Sequence, residues 1–383
     1  MRVLFIWHGA VEKNYRKLFK EMVQDGNIEL TIITSSSWYE AAKYQSFEYI
    51  DFDSLYKVYP LKTIFTNHVR AFFYLNLLKI GAIIFKEKFD VIYIKEEPYS
   101  TACFSVVLLA KLLSPKSKIV IESDENIFKK HPFPFGLFEW FSLKNSDSLV
   151  VVPSVDGKEV YRKKGYNKNI FTTSYFVDDY IFSINSQESK SIFLPEAQDF
   201  KLKIGYVGRI AEEKGIDIIL FAMRIMKEKG KEDIALYIVG GIDTSSNYYK
   251  ELMDISERLE VKVFFLGSLN LDKIFEFYKA IDVLVLPSRT KSWWKEQFGR
   301  VLVESMACGT PCVGSSSGEI PAVIGDSRFI FKEDDPEDLA RILEGFYSGV
   351  FSKERLRNYL IDRAKNFSVK EVAKNKIDII KST

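Results

Sequence analysis

"KLKIGYVGRIAEEKGIDIILFAMRIMKEKGKEDIALYIVG", Lys201 to Gly240, decides the fold. A short apolar run stops at Gly208, a charged loop follows, an amphipathic segment runs from Gly215 to Gly230, and a second apolar run stops at Gly240. A strand that is apolar on both of its faces must be buried on both, and successive strands of this kind joined by a helix read as a parallel sheet covered on either side. Working outward, "VKVFFLG", "DVLVLPS" and "PCVGSS" continue the rhythm downstream. Upstream, "RVLFIW", "IELTIIT", "DVIYI", "SKIVIES" and "SLVVVP" alternate with segments such as "KNYRKLFKEMVQDG". The pattern is written twice, and between the halves residues 178–200 lose periodicity and gain Ser, Asn, Gln and Asp, as a linker does. The expectation is an α/β chain of two doubly wound domains facing across a cleft. Their bounds are 1–180 and 181–366, and 367–383 form a final helix returning to the first domain.

A length of 383 residues suits two hydrophobic cores better than one. With 47% hydrophobic and 28% charged residues the composition is that of a globular protein. The 54 basic and 52 acidic residues leave a formal net charge of +2, too balanced for a nucleic-acid footprint. Three cysteines make no disulfide framework and no zinc set. The opening "MRVLFIWHG" reads as a buried strand rather than a signal peptide, and no apolar run reaches the length of a membrane span. A cytoplasmic protein is expected.

Ligands of open α/β sheets bind beyond the carboxyl ends of the strands, so the residues just after each apolar run matter most. Arg209 and Lys214 flank such an end, with Gly208 before them and a helix entry at Gly215. Free amides at a helix start together with two cations suit a diphosphate, although the pair can equally be neutralised by Glu212 and Glu213 on a solvated loop. Farther on, "EQFGRVLVESMACGTPCVGSSSGEIPAVIGD" carries Glu296 and Glu304 on either side of Gly299. On one helix they would stand about 80° and roughly 12 Å apart and so serve different atoms. Gly299 instead suits a loop-to-helix entry, with "RVLVESMACG" as the helix, Glu296 on the loop and Glu304 a turn and a half inside. The amides of Gln297 to Arg300 would then face a ligand, and the small residues would let backbone approach it. A carboxylate for two ribose hydroxyls, cations and amides for a diphosphate, and a second carboxylate for a sugar describe a sugar nucleotide.

"GYVGRIAEEKGID", "YIVGG", "FFLGSL" and the segment from Asp282 to Asp326, taken in this order, resemble glycosyltransferase family 4, retaining enzymes of the GT-B architecture also known as glycosyl transferases group 1. The resemblance covers residues 202–331 and implies two Rossmann-like domains. It implies that Arg209, Lys214 and Glu296 are catalytic and that Gly208, Gly240, Gly267, Gln297, Phe298, Gly299, Arg300, Val301 and Glu304 hold the donor. The implied reaction moves a sugar from a nucleoside diphosphate-sugar, UDP ahead of GDP, to a hydroxyl of a glycan or lipid-linked acceptor, with retention, in polysaccharide biosynthesis for the cell envelope. Breaking the sugar–diphosphate bond puts negative charge on the leaving group, which cations and a helix dipole can stabilise, so no metal or other cofactor is expected. "DFD" at residues 51–53 matches a metal-binding pattern of the other large glycosyltransferase architecture, but three residues are a cheap match.

The family's histidine after a first-domain strand is missing from "KIVIESDEN", where Glu122, Ser123 and Asp124 stand instead. His8 and Gly9 after the first strand, and Glu96, Glu97, Glu122 and Asp124 after later ones, become candidates for acceptor or sugar contacts. Residues 54–86 interleave lysine and arginine with aromatics and carry no acid, which suits either a helix packed on a sheet or peripheral contact with the inner face of a membrane. "FPFGLFEWFSLK", 133–144, adds weight to the second reading. A dehydrogenase is disfavoured, since "WHGAVEKN" lacks the three-glycine fingerprint. A non-catalytic sugar-nucleotide-binding subunit, or an epimerase or phosphorylase of the same architecture, are the alternatives.

Overall fold

A computed structural model describes residues 1–24, 26–40, 43–152, 154–184, 194–196 and 199–383. Residues 185–193, 197 and 198 of the expected linker lie outside this range. The chain divides into two compact units, Met1–Phe176 with Val369–Thr383, and Val177–Ser368. The sequence places the corresponding breaks at 180/181 and 366/367.

The first unit is built on a seven-stranded parallel sheet in the order β11-β10-β9-β8-β1-β2-β5. Its strands are β1 (Arg2–Ile6), β2 (Glu29–Ser35), β5 (Lys57–Leu61), β8 (Val91–Ile94), β9 (Lys118–Ser123), β10 (Ser148–Val151) and β11 (Asn169–Thr172). Two hairpins stand apart from it, β3 (Ser37–Glu40) with β4 (Lys43–Ser46) and β6 (Thr63–Ile64) with β7 (Phe73–Tyr74). Alternation sends Leu4, Ile6, Ile92, Ile94, Ile119 and Ile121 to one face, and Val3, Phe5, Tyr93, Val120 and Val150 to the other. Helices α2 (Leu77–Glu87), α3 (Thr101–Leu113), α4 (Phe135–Asn145) and α5 (Ser154–Lys163) cover the first face. On the other, α1 (Lys17–Val23) packs against α14 (Val369–Ser382), the last helix of the chain.

The second unit has a six-stranded parallel sheet in the order β14-β13-β12-β15-β16-β17. These are β12 (Leu202–Val207), β13 (Ile234–Val239), β14 (Lys262–Gly267), β15 (Val283–Leu286), β16 (Cys312–Ser315) and β17 (Ile330–Phe331). After α6 (Tyr180–Ile184), its helices are α7 (Ile216–Glu228), α8 (Asn247–Leu259), α9 (Leu271–Ala280), α10 (Arg300–Ala307), α11 (Ile320–Ile324), α12 (Pro336–Tyr347) and α13 (Lys353–Lys365). Helix α7 packs on α8 and α12, and α10 packs on α9, α11 and α13, so both faces are covered. The order reverses between β12 and β15, which puts a topological switch point at the carboxyl ends of those two strands.

One expectation changes. Residues 54–86 are not one helix: they hold β5, the β6–β7 hairpin and α2, which begins only at Leu77 behind an Asn76 cap. The "DFD" motif, already a cheap match in the sequence, places one of its carboxylates in the core. Asp53 is buried, takes the Nε of the fully buried Arg16 at 3.0 Å, and accepts the Tyr56 hydroxyl at 2.5 Å. That carboxylate is consumed in holding Arg16, which itself donates to the carbonyls of Ala10 and Val11.

Candidate functional site

In the second unit the ends of three neighbouring strands carry glycines. The Gly208 amide donates to the Val239 carbonyl and the Gly240 amide to the Gly267 carbonyl, each at 3.0 Å. A Cβ on Gly240 would lie 2.1 Å from the Gly208 carbonyl oxygen, so only glycine allows the strand ends to lie this close. Gly267 turns away in the left-handed region at φ 72°, into open space.

Beyond β12 a single 3₁₀ turn, Glu212–Lys214, leads through Gly215 into α7. Gly215 is left-handed, and a side chain there would meet the Pro287 carbonyl at 2.2 Å. This close approach presses the turn against the loop after β15. The Arg289 amide donates to the Glu213 carbonyl at 2.8 Å, and the Arg289 guanidinium spans both oxygens of Asp217, at 2.9 and 2.5 Å, while also engaging Asp334. The two loops at the switch point are therefore one braced unit.

That bracing brings Lys214 to Glu296. The Lys214 ammonium lies 2.6 Å from Glu296 Oε2, the Ser288 hydroxyl donates to the same oxygen at 2.8 Å, and the ammonium rests 4.6 Å from the centre of the Trp294 ring. Both side chains are largely buried, which strengthens the pair relative to one in water. Among the described residues no donor engages Glu296 Oε1. Arg209 stands apart from this pair, exposed, with its guanidinium 3.0 Å from Glu213 and its carbonyl accepting the Tyr206 hydroxyl. Of the two pairings that the sequence allowed on the loop, Arg209 makes one and Lys214 does not.

Glu296 is held by its own backbone as well. Its carbonyl accepts the Glu319 amide at 3.2 Å, and a Cβ on Gly318 would come within 2.0 Å of that carbonyl. The small residues of "GSSSGE" thus let chain approach chain, and Gly314 likewise admits the side chain of Ile320. Gly299 is the left-handed residue at the entry of α10, with φ 70°, as the loop-to-helix reading requires. Gln297 and Arg300 are exposed, whereas the Phe298 ring is buried against Phe367. Glu304 sits inside α10, half-buried; burial pushes its carboxyl above the ordinary range, and Tyr278 donates to its Oε2 at 2.9 Å. Sequence reasoning missed Ser288, Arg289, Trp294 and Tyr278; the first three lie in the segment after β15 that it quoted.

In the first unit His8 follows β1, and its amide and its Nδ1 both reach Glu96, at 2.7 and 2.5 Å. Tyr74 donates to the same buried carboxylate. Glu96 is thereby an orienting group for the imidazole, which packs against Trp38 and Phe72. A Cβ on Gly9 would strike the Trp7 indole. Glu97 accepts from the Ser123 hydroxyl at 2.6 Å and the Asp124 amide at 2.9 Å, and burial with the neighbouring Asp124 pushes its carboxyl up to about 8. Asp124 is partly exposed, 3.5 Å from Lys95. Glu122 is the correction among these residues. It lies on the opposite face of the sheet, fully buried, with the ammoniums of Lys95 and Lys376 and the Tyr93 hydroxyl on its carboxylate. Burial alone would raise it; Lys376 and Lys95 hold it down to about 2. It is an internal counter-charge and has no oxygen left for a sugar.

Residues 189–367 match the family model described as Glycosyl transferases group 1. An uncharacterized glycosyltransferase of Methanocaldococcus jannaschii is 24% identical over 312 residues, which cover 79% of this chain and 78% of that protein. A second from the same organism is 31% identical over 218 residues, 54% of this chain and 52% of its own, so the chain spans about half of it. Among solved structures, Anabaena HepE in complex with UDP superposes with a TM-score of 0.67 at 16% identity, covering 100% of both chains. At that identity the likeness is one of fold.

Proposed function

We propose that this chain, a group 1 glycosyltransferase of GT-B fold by the match over residues 189–367, is a retaining enzyme that moves a sugar from a UDP-sugar to a hydroxyl of a glycan or lipid-linked acceptor, without a metal. The observation that carries this reading is the Lys214–Glu296 contact at 2.6 Å, which joins the loop after β12 to the loop before α10 at the switch point of the sheet. The presence of UDP in the Anabaena relative supports the choice of base.

In this reading the donor diphosphate takes the Lys214 ammonium, the Arg209 guanidinium and the first amides of α10, all of which stabilise the charge that appears as the sugar leaves. Glu296 orients Lys214 through Oε2 and offers Oε1 to a hydroxyl of the transferred sugar. Glu304, positioned by Tyr278, takes the ribose. The departing phosphate oxygen accepts the proton of the incoming hydroxyl on the same face, which keeps the configuration. Setting for the reaction is the cytoplasmic side of a membrane, where cell-envelope polysaccharide is assembled. Membrane approach draws support from α2, whose exposed Leu78 and Phe85 stand beside Lys79 and Lys86.

The test is calorimetric binding of UDP, GDP and ADP, each with magnesium and with EDTA, to the wild type and to Glu304→Ala. UDP is expected to bind in EDTA, and Glu304→Ala to lose roughly 1.5–3 kcal/mol, the worth of hydrogen bonds to a charged group. Binding that requires magnesium, or that ignores Glu304, sinks the proposal.

A further inference from the structure

The first unit holds a cavity of about 630 Å³ lined by none of the residues assigned above. It lies between the segment after β9, one side of α4 and the turn joining α5 to β11. Five lysines line it, Lys129, Lys130, Lys144, Lys164 and Lys168, against a single carboxylate, Glu139. That carboxylate is spent. The Lys164 ammonium lies 2.6 Å from Glu139 and 2.5 Å from Glu125, and His131 Nε2 lies 3.3 Å from Glu125. Glu125, His131 and Glu139 bring three potential metal-ligand atoms within 4.8 Å of one another, but the Lys164 ammonium already bridges the two carboxylates.

The other four lysines face the cavity without an acid. Lys168 donates to the carbonyls of Lys144 and Ser146 at 2.8 and 2.5 Å, Lys144 rests 4.8 Å from the Trp140 ring, and Lys129 and Lys130 make no polar contact among the described residues. Like charges gathered around one concavity repel, and an anion entering it relieves them. His131 is buried beside them. Its side chain is only 2% exposed, it lines the cavity, and its Nδ1 has no hydrogen-bond partner, a costly state for a buried polar atom.

Beside the cations the surface is apolar. Helix α4 packs Phe138 and Phe141 onto Phe104 of α3, yet exposes Leu137, Trp140 and Lys144, which at spacings of three and four fall on one stripe. Phe133, 85% exposed, and Phe128 precede it. A helix that is apolar on its outward face and bordered by lysines suits the boundary layer of an anionic bilayer, with the tryptophan at headgroup level.

We infer that this cavity binds the phosphate of an anionic membrane lipid, with Phe133, Leu137 and Trp140 set into the apolar layer beside it. The inference deepens the membrane part of the proposed function and is independent of the donor site.

The test is sedimentation of the full-length protein with vesicles of phosphatidylcholine alone or with about 30% phosphatidylglycerol, a strongly anionic surface. Wild type is expected to bind the anionic vesicles only. Lys129→Gln/Lys130→Gln/Lys168→Gln is expected to lose roughly a hundredfold in affinity, as three surface-seeking cations should contribute. Lys250→Gln/Lys262→Gln/Lys273→Gln, the same charge change on exposed lysines of the second unit, is expected to bind as wild type. Unchanged UDP binding and thermal unfolding certify that the variants fold. Equal loss in both triple variants, or no vesicle binding at all, overturns the inference. So does saturable calorimetric binding of glycerol phosphate that is lost in the first variant while vesicle binding persists, which would make the cavity a site for soluble phosphate esters. Vesicle binding without UDP binding would instead spare this inference and sink the donor assignment.

Discussion

At the scale of single residues, the two glutamates around Gly299 show what spacing can and cannot decide. It placed one on a loop and one inside a helix, and in the fold Glu296 meets Lys214 and Ser288 while Glu304 meets Tyr278. It could not supply those partners, because Ser288 and Tyr278 come from other strand and helix ends that only the folded sheet brings near. Glu122 failed for a plainer reason. In β9 alternate residues point to opposite faces, so Glu122 goes with Val120 toward Lys376 while Ser123 goes toward Glu97. Glu97 then carries a pH signature. Its carboxyl sits at about 8 through burial and the nearby Asp124, with Ser123, Tyr99, Tyr161 and Glu125 around it and Lys95 beyond Asp124. A carboxyl raised in the fold stays protonated where the unfolded chain has already released its proton. Stability is therefore full below about 4.3, the ordinary glutamate value, and falls as pH rises toward 8. Thermal unfolding of the wild type should drop between pH 5 and 8, by an amount on the order of a few kcal/mol, and Glu97→Gln should flatten that slope. A parallel decline in both proteins would show that Glu97 is ionised in the fold at neutral pH.

At the scale of elements, the apolar strand runs were legible because burial on both faces leaves few polar residues in them. All ten quoted runs are strands of the two parallel sheets. The strands of these sheets that were missed are β5, β11 and β17, at sheet edges, where half-exposed residues and Pro60 blur the pattern. Helix lengths were less legible: α1 spans only Lys17–Val23 within "KNYRKLFKEMVQDG", because Arg16 is drawn into the core by Asp53. The resemblance assigned the glycines at the ends of β12, β13 and β14 to the donor, and the structure shows Gly240 as room for the neighbouring chain. Gly240→Ala would drive its methyl into the Gly208 carbonyl, and with backbone on both sides neither can yield cheaply. The expected cost is about 1–3 kcal/mol of stability from overpacking, together with loss of UDP affinity as the loop carrying Arg209 is displaced. Gly267→Ala faces open space but keeps φ 72°, so it should cost only the strain of a left-handed alanine, about 1 kcal/mol. Chemical denaturation of the two variants with UDP titrations separates the effects: equal losses of stability and of affinity would deny the close approach its role.

At the scale of the whole molecule, the chain leaves the first unit at Phe176, builds the second, and comes back at Val369 to complete the first. The return is a matter of core, not of decoration. Val372, Ala373, Ile379 and Ile380 of α14 are buried with Phe5, Leu18 and Phe19, and Lys376 supplies one of the two charges on Glu122. Burial pulls the Lys376 ammonium toward its neutral form and Glu122 opposes it, so each charge is tolerated only with the other present. Ending the chain at Ser368 would expose the apolar floor beneath α14. Three branched side chains at about 1.5–3 kcal/mol each, with a few more for the counter-charge, approach the whole 5–15 kcal/mol stability of a domain. Scanning calorimetry of the chain truncated after Ser368 should then show the second unit melting as before, still stabilised by UDP, while the first unit's transition is lost. Lys376→Met, which keeps the apolar contacts and removes the charge, should lower only that first transition, by about 3–5 kcal/mol. If truncation instead left both transitions in place, α14 would be an accessory to the first unit and the domain boundary would have to be drawn without it.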